Sequence, residues 1–358
     1  MFKMEKEFSI YLDLFRFVAA LVVFLSHYAS QDLSGGVFWQ LKQYSQTAVI
    51  AFFVLSGFVI GFITDTKEKD ASSYFISRIS RLYSIVIPAL VLTGICDFIG
   101  LYYNGEFYTL KNWDYPEGSQ ITHYFLSFFM VQNIWNLNLN PGINGPFWSL
   151  TYEWIFYITY GVFKFSRSFV KWPIILIILA FAGPSIISLF PAWLIGLFIY
   201  KAVRNSNFQQ LRKKSLVIPI YLLTIFALAT FSPIVRSINF ENSIYLRASL
   251  LGDYFDALVF AFHIFFASYM SFTLKTNLLR FEKTIRWLGT LTFALYLFHR
   301  PILQTFAALF ESYIGDLWYN ISLLFIVFLI VCTLGRFCEK QKSLIKAKLN
   351  KYVVGFQH

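Results

Sequence analysis

Charge is scarce in this chain. Only 14% of its 358 residues are Asp, Glu, Lys or Arg, where a soluble globular domain carries about 25%. That shortage excludes an ordinary water-soluble fold. Cysteine is scarce too. Cys96, Cys332 and Cys338 lie in or beside apolar runs, show no metal-ligand spacing and imply no disulfide framework, so no metal site is expected. No small-residue cleavage site closes the apolar run that starts at Leu12, and that run contains Arg16 and His27. The N-terminus therefore reads as a retained membrane span and not as a signal peptide. Internal repeats, low-complexity linkers and a soluble domain are all missing.

What is present is apolar and aromatic. Hydrophobic residues make up 57% of the chain and aromatics 21%, with 43 Phe, 22 Tyr and 9 Trp; the mean hydropathy is +0.58. The apolar residues come in blocks of about 20, the length that crosses a ~30 Å hydrocarbon core. Tyr and Trp suit the two membrane interfaces. The net charge of +11 lies mostly between the apolar blocks. It reads as membrane topology and not as a nucleic-acid footprint.

The spacing predicts an all-α, polytopic transmembrane bundle of about ten spans with both termini cytoplasmic. Spans are expected at Leu12–Ala29, Ala48–Thr64, Tyr83–Tyr103, Phe147–Phe165, Trp172–Phe190, Pro191–Tyr200, Leu216–Phe231, Ala248–Phe272, Trp287–Phe310 and Trp318–Phe337. Between them fall the basic groups Lys67/Lys69/Arg78/Arg81, Lys164/Arg167/Lys171, Lys201/Arg204/Arg212/Lys213/Lys214 and Lys275/Arg280/Lys283/Arg286. All share the cytoplasmic side only if an even number of crossings separates each pair. The parity works when the short stretch near 121–135 does not cross but is re-entrant or interfacial. Residues 1–340 are then a single transmembrane domain, and 341–358 a basic cytoplasmic tail.

Ionisable residues at membrane depth cost ~2.5–3.5 kcal/mol on insertion scales, so each is a functional candidate. Arg16 and His27 are eleven residues apart, which puts them on one helical face with a rise of ~16 Å between them. A permanent cation and a proton-exchanging imidazole suit an anion clamp plus a general base. The alternative has Arg16 paired with Asp13 or snorkelling, and His27 a structural hydrogen-bonding residue. Arg78 and Arg81 lie one turn apart: a phosphate clamp, or an ordinary topological anchor. Glu153 is a carboxylate among aromatic residues that needs a partner, either substrate or a structural counter-charge. Ser56 and Gly57 interrupt the second span, giving either backbone access to a ligand or close helix packing. His299 and Arg300 precede the helix-bending Pro301, and His263, Asp253 and Asp256 form a looser group; for these the structural reading is preferred.

Several of these segments carry a resemblance. YLDLFRFVAALVVFLSHY (residues 11–28) is similar to the first helix of the acyltransferase-3 family of membrane acyltransferases, with a basic residue, ten intervening positions and a histidine. FFVLSGFVI, RISRLY, FWSLTYEWIFY and ALYLFHRPIL follow in the family's order. The resemblance implies O-acyl transfer, most often of acetyl, from cytoplasmic acyl-CoA to a hydroxyl of an envelope or exported carbohydrate such as O-antigen, lipopolysaccharide or exopolysaccharide. Location in the cell inner membrane is implied, with the bilayer and a carbohydrate as partners. The chain resembles a stand-alone form without an SGNH domain. The expected catalytic residues are His27, Glu153 (orienting the base) and Arg16. Arg78, Arg81, Ser56 and Gly57 are expected at the acyl-CoA donor, and Trp148 and His299 at the acceptor. The competing reading is a transporter or flippase of a glycan or lipid-linked intermediate, which also buries Arg, His and Glu along a path.

Overall fold

A computed structural model describes residues 4–109, 113, 115–206, 216–238 and 247–355. Arg212, Lys213 and Lys214 of the basic connections lie outside the described residues. Within them the chain is all-helical, 86% helix and without strands. The helices are α1 (Lys6–Tyr28), the single-turn α2 (Gln31–Ser34), α3 (Ser45–Thr66), α4 (Ala71–Tyr108), α5 (Gln120–Phe128), α6 (Trp148–Phe165), α7 (Ser168–Ala182) and α8 (Pro184–Asn205). After these come α9 (Val217–Arg236), α10 (Leu250–Thr273), α11 (Lys275–Arg280), α12 (Glu282–Leu309) and α13 (Leu317–Gly355).

Among the described residues, seven helices are long and apolar enough to cross a membrane: α1, α3 with the 3₁₀ turn before it, α4, α8, α9, α10 and α13. The apolar faces of several point outward. Leu222, Leu223 and Phe226 on α9, and Phe325, Phe328 and Leu329 on α13, are all more than half exposed. In water such faces would be an aggregation liability; against lipid tails they cost nothing. The stretch near 121–135 forms the nine-residue α5 and an irregular loop. At 1.5 Å per residue α5 is only about 14 Å long, well short of the hydrocarbon thickness.

Three boundaries differ from the sequence expectation. α4 starts at Ala71, twelve residues before Tyr83. Asp70 caps it: its side chain accepts from the Ser73 backbone N–H at 2.8 Å and from Ser73 Oγ at 2.9 Å. These bonds hold the Asp70 carboxyl below the usual carboxylate range. Arg78 and Arg81 are therefore inside a helix and not in a loop. The break expected at Pro191 falls instead at Gly183, which ends α7 with φ +88, a conformation suited to glycine. Pro191 lies within α8. The basic tail continues as part of α13.

The helices group into two compact units. Unit 1 comprises residues 1–19, 46–69 and 184–289; unit 2 comprises 20–45, 70–183 and 290–358. In unit 1 α9 packs on α10, and α10 on α8; in unit 2 α13 packs on α4, and α6 on α7.

Candidate active site

The chemistry-bearing residues of unit 2 begin with two histidines 272 positions apart in sequence. His27 Nδ1 and His299 Nε2 are 2.7 Å apart. The rings lie 13° from parallel with centroids 5.1 Å apart. That separation is what two coplanar rings touching nitrogen to nitrogen give, so the contact is a hydrogen bond along the lone pair and not a face stack. His299 is fully buried, and its Nδ1 lies 2.7 Å from the carbonyl oxygen of Leu295, one turn earlier. His27 is half-buried. Phe24 packs edge-on against His299.

A loop holds this part of α12. Pro301 has no N–H, so the carbonyl of Leu297 loses its helical partner. Asn144 Nδ2 takes that place at 2.9 Å, and also donates to Thr93 Oγ1 at 2.9 Å. The loop is pinned a second time at Asp97 on α4, which accepts from Tyr108 Oη (2.9 Å), Tyr124 Oη (3.0 Å) and the backbone N–H of Ile143 (3.4 Å). Gly142, at φ +45, lies so close that a Cβ there would stand 1.5 Å from Asp97 Oδ2. Upstream, Met130, Trp135, Asn136 and Asn138 all have positive φ. Such strain, ~1–3 kcal/mol per residue, persists where the surroundings over-determine it and clusters at functional sites.

Next along the same unit are the two arginines of α4. Arg78 is 4% exposed. Its guanidinium lies 4.5 Å over the ring of Tyr74, one turn earlier, and 5.7 Å from that of Tyr157 on α6. Arg81 is half-buried, with its guanidinium 5.0 Å over Phe293 of α12. Phe293 precedes His299 by six residues, or about 9 Å along the helix. Tyr157 donates a hydrogen bond to Glu153 Oε1, and the charges of Glu153, Arg81 and Arg78 all bear on that hydroxyl. Glu153 thus belongs to the arginine cluster, while the ring partner of His27 is His299. Trp148, at the head of α6, packs edge-on against Tyr152.

Unit 1 holds the remaining candidates, each in contact with neighbouring helices. Arg16 Nη2 donates to the Gly289 carbonyl at 2.8 Å and lies 3.6 Å from Asp13; Arg286 Nη1 meets Asp13 at 2.5 Å. Gly57 faces Gly196 across α3 and α8: a Cβ on either would stand 2.0 Å or less from a backbone oxygen of the other helix. Ser56 Oγ accepts from Trp193 Nε1 at 3.2 Å. His263 is satisfied at both nitrogens, by Tyr11 Oη (2.7 Å) and Thr224 Oγ1 (2.9 Å). Asp253 and Asp256 are fully buried and share Arg236, with Arg247 also on Asp253. His263 is thus satisfied at both nitrogens, while Asp256 Oδ1 is buried outside the hydrogen bonds of the aspartate–arginine cluster.

The profile of the acyltransferase-3 family, described as an acyltransferase domain, matches residues 9–336, a span that includes every candidate site residue described above. The chain belongs to the acyltransferase-3 family. It is similar to the acyltransferase MdmB of Streptomyces mycarofaciens, 28% identical over 153 residues, 40% of this chain and 36% of that protein. It is also similar to an O-acetyl transferase of Shigella phage Sf6, 24% identical over 254 residues, 66% of this chain and 74% of that protein. The match thus spans about a third of the first relative and three quarters of the second. No solved structure matches.

For an acyltransferase of this family, four residues escape a sequence reading that counts only the obvious intramembrane charges. Asp97 is a carboxylate within the third predicted span, and its position was signal enough. Tyr157 lies four residues after Glu153, the spacing that brings a donor to an acceptor on one helix face. Asn144 leaves no signature of its own, but Pro301 announces an orphaned carbonyl that something must satisfy. Phe293 looks like any lipid-facing or core aromatic until Arg81 is placed over it.

Proposed function

We propose that this protein is a membrane-embedded O-acyltransferase of the cell inner membrane. It moves an acyl group, acetyl in the first instance, from cytoplasmic acyl-CoA to a hydroxyl of an envelope carbohydrate. The observation that carries the reading is the His27–His299 pair: a half-buried imidazole held by a fully buried one near the far end of the first span. A thioester is already activated, so the reaction chiefly needs a positioned base for the acceptor hydroxyl.

His27 takes the hydroxyl proton as the acceptor oxygen bonds to the thioester carbonyl carbon. The carbon–sulfur bond then breaks, and His27 returns the proton to the departing thiolate. Arg81 supports the donor assignment. Its guanidinium makes a cation–π contact with Phe293 and has neither ion pair nor hydrogen bond among the described residues. A permanent cation at that depth is well matched by a phosphate. Arg78, sandwiched by Tyr74 and Tyr157, sets the shape of the same cluster, and Glu153 is its counter-charge. Trp148 offers an aromatic wall for the sugar. Arg16, Ser56 and Gly57 serve helix packing in unit 1.

We take the span count as ten: α1, α3, α4, α6, α7, α8, α9, α10, α12 and α13, with both termini and the basic connections cytoplasmic. The test of function incubates membranes with radiolabelled acetyl-CoA and envelope polysaccharide. Label in the polysaccharide supports transfer. Carbohydrate movement across the bilayer without label would establish the transporter reading instead.

A further inference from the structure

We infer that His299 is a positioning residue that fixes the tautomer of His27, making Nε2 of His27 the atom that receives the acceptor proton. The inference rests on the base role proposed above and adds the atom, the partner and the reason.

A carbonyl oxygen only accepts, so the 2.7 Å contact of His299 Nδ1 with Leu295 O places a proton on His299 Nδ1. A neutral imidazole carries one N–H, so His299 Nε2 is a bare acceptor. The 2.7 Å contact between that nitrogen and His27 Nδ1 then needs its proton on His27 Nδ1. Neutral His27 has no second proton, and its Nε2 is left with a free lone pair. The ring of His27 is only partly buried, which leaves that lone pair within reach of an acceptor hydroxyl.

The arrangement also suits the moment of reaction. When Nε2 accepts the hydroxyl proton, His27 becomes an imidazolium whose Nδ1–H still points at His299 Nε2. The hydrogen bond becomes charge-assisted without any group having to move. Release of the proton to the departing thiolate restores the starting state. The opposite tautomer of His27 would face two bare nitrogens and lose the contact. The register of α12 protects the device: Leu295 O fixes the His299 ring, and Asn144 replaces the hydrogen bond that Pro301 removes at Leu297.

Two measurements test this on the full-length protein in membranes. The first is the ¹⁵N spectrum of histidine-labelled protein, with the His27 signals assigned by their loss in His27→Ala. The expected result is a protonated Nδ1 and a bare Nε2 at His27; a protonated Nε2 with bare Nδ1 overturns the inference. The second compares His299→Gln, which keeps an acceptor, with His299→Phe, which keeps only the ring shape. We expect His299→Phe to lower kcat about 100-fold, the scale of general-base catalysis, with KM for acetyl-CoA unchanged. His299→Gln is expected to stay within about tenfold of the parent. Unchanged kcat in His299→Phe overturns the positioning role. If that variant does not accumulate, the spectrum of the parent protein decides alone. The outcome that sinks the base role itself is different: full activity in His27→Ala.

Discussion

At the scale of single residues, two arginines one turn apart do different work. Arg78 is enclosed between Tyr74 and Tyr157, where a desolvated cation–π contact contributes about 2 kcal/mol. Arg81 touches Phe293 and has no ion pair among the described residues. Arg81→Gln should therefore raise KM for acyl-CoA by about tenfold or more, the loss expected for a charged hydrogen bond, and leave protein levels intact. Arg78→Gln should chiefly lower the amount of folded protein in the membrane. Titrating acyl-CoA against each variant, beside an immunoblot of membranes, separates the two. A shared phenotype would contradict the division. The sequence showed both arginines and their one-turn spacing. It did not distinguish them, because which rings cover a guanidinium depends on α6 and α12, remote in the chain.

Elements explain why the histidines meet. His27 and His299 are each visible in the sequence as an imidazole inside an apolar run, and nothing local pairs them. Their pairing depends on the rotation of α12 about its axis. Asn144 and the Asp97-anchored loop act on that rotation through the gap left by Pro301. Glu153 shows the same limit from the other side. Its place among aromatics was legible, with a histidine, an arginine or a substrate hydroxyl open as partners; the hydrogen bond it accepts from Tyr157, on its own helix, was not. Gly142 offers a direct test of the loop. A methyl group there would stand 1.5 Å from Asp97 Oδ2 at a backbone φ of +45, so Gly142→Ala should shift the loop and pull Asn144 from Leu297. A misplacement of ~1 Å at a catalytic group costs about 100-fold in rate. We expect a loss of that order in kcat with the protein still inserted. Unchanged kcat would show that the loop does not support the site.

For the whole molecule, the all-helical, membrane-spanning character was legible in the composition because it answers to one strong constraint. In lipid every backbone polar group must be bonded internally, which leaves helices as the default for long apolar runs. Helix ends read less well. Gly183 breaks a run where Pro191 was expected to, and α4 begins three turns early behind Asp70. The ten-span account predicts that a reporter fused after Lys351 and one placed in the 164–171 connection both fall on the cytoplasmic side, while one in the 312–316 turn falls outside. Accessibility of single cysteines to an impermeant thiol reagent, in a background with Cys96, Cys332 and Cys338 replaced, checks this. Labelling of the 164–171 connection from outside would mean that α5 and its loop cross the membrane after all.

The central claim is that His27 is the base of an acyl transfer. The most direct measurement is transfer of radiolabelled acetyl from acetyl-CoA to envelope polysaccharide, by membranes holding equal amounts of the parent protein and of His27→Ala. The account predicts label in polysaccharide with the parent and background label with the variant. Equal labelling by the two would contradict it.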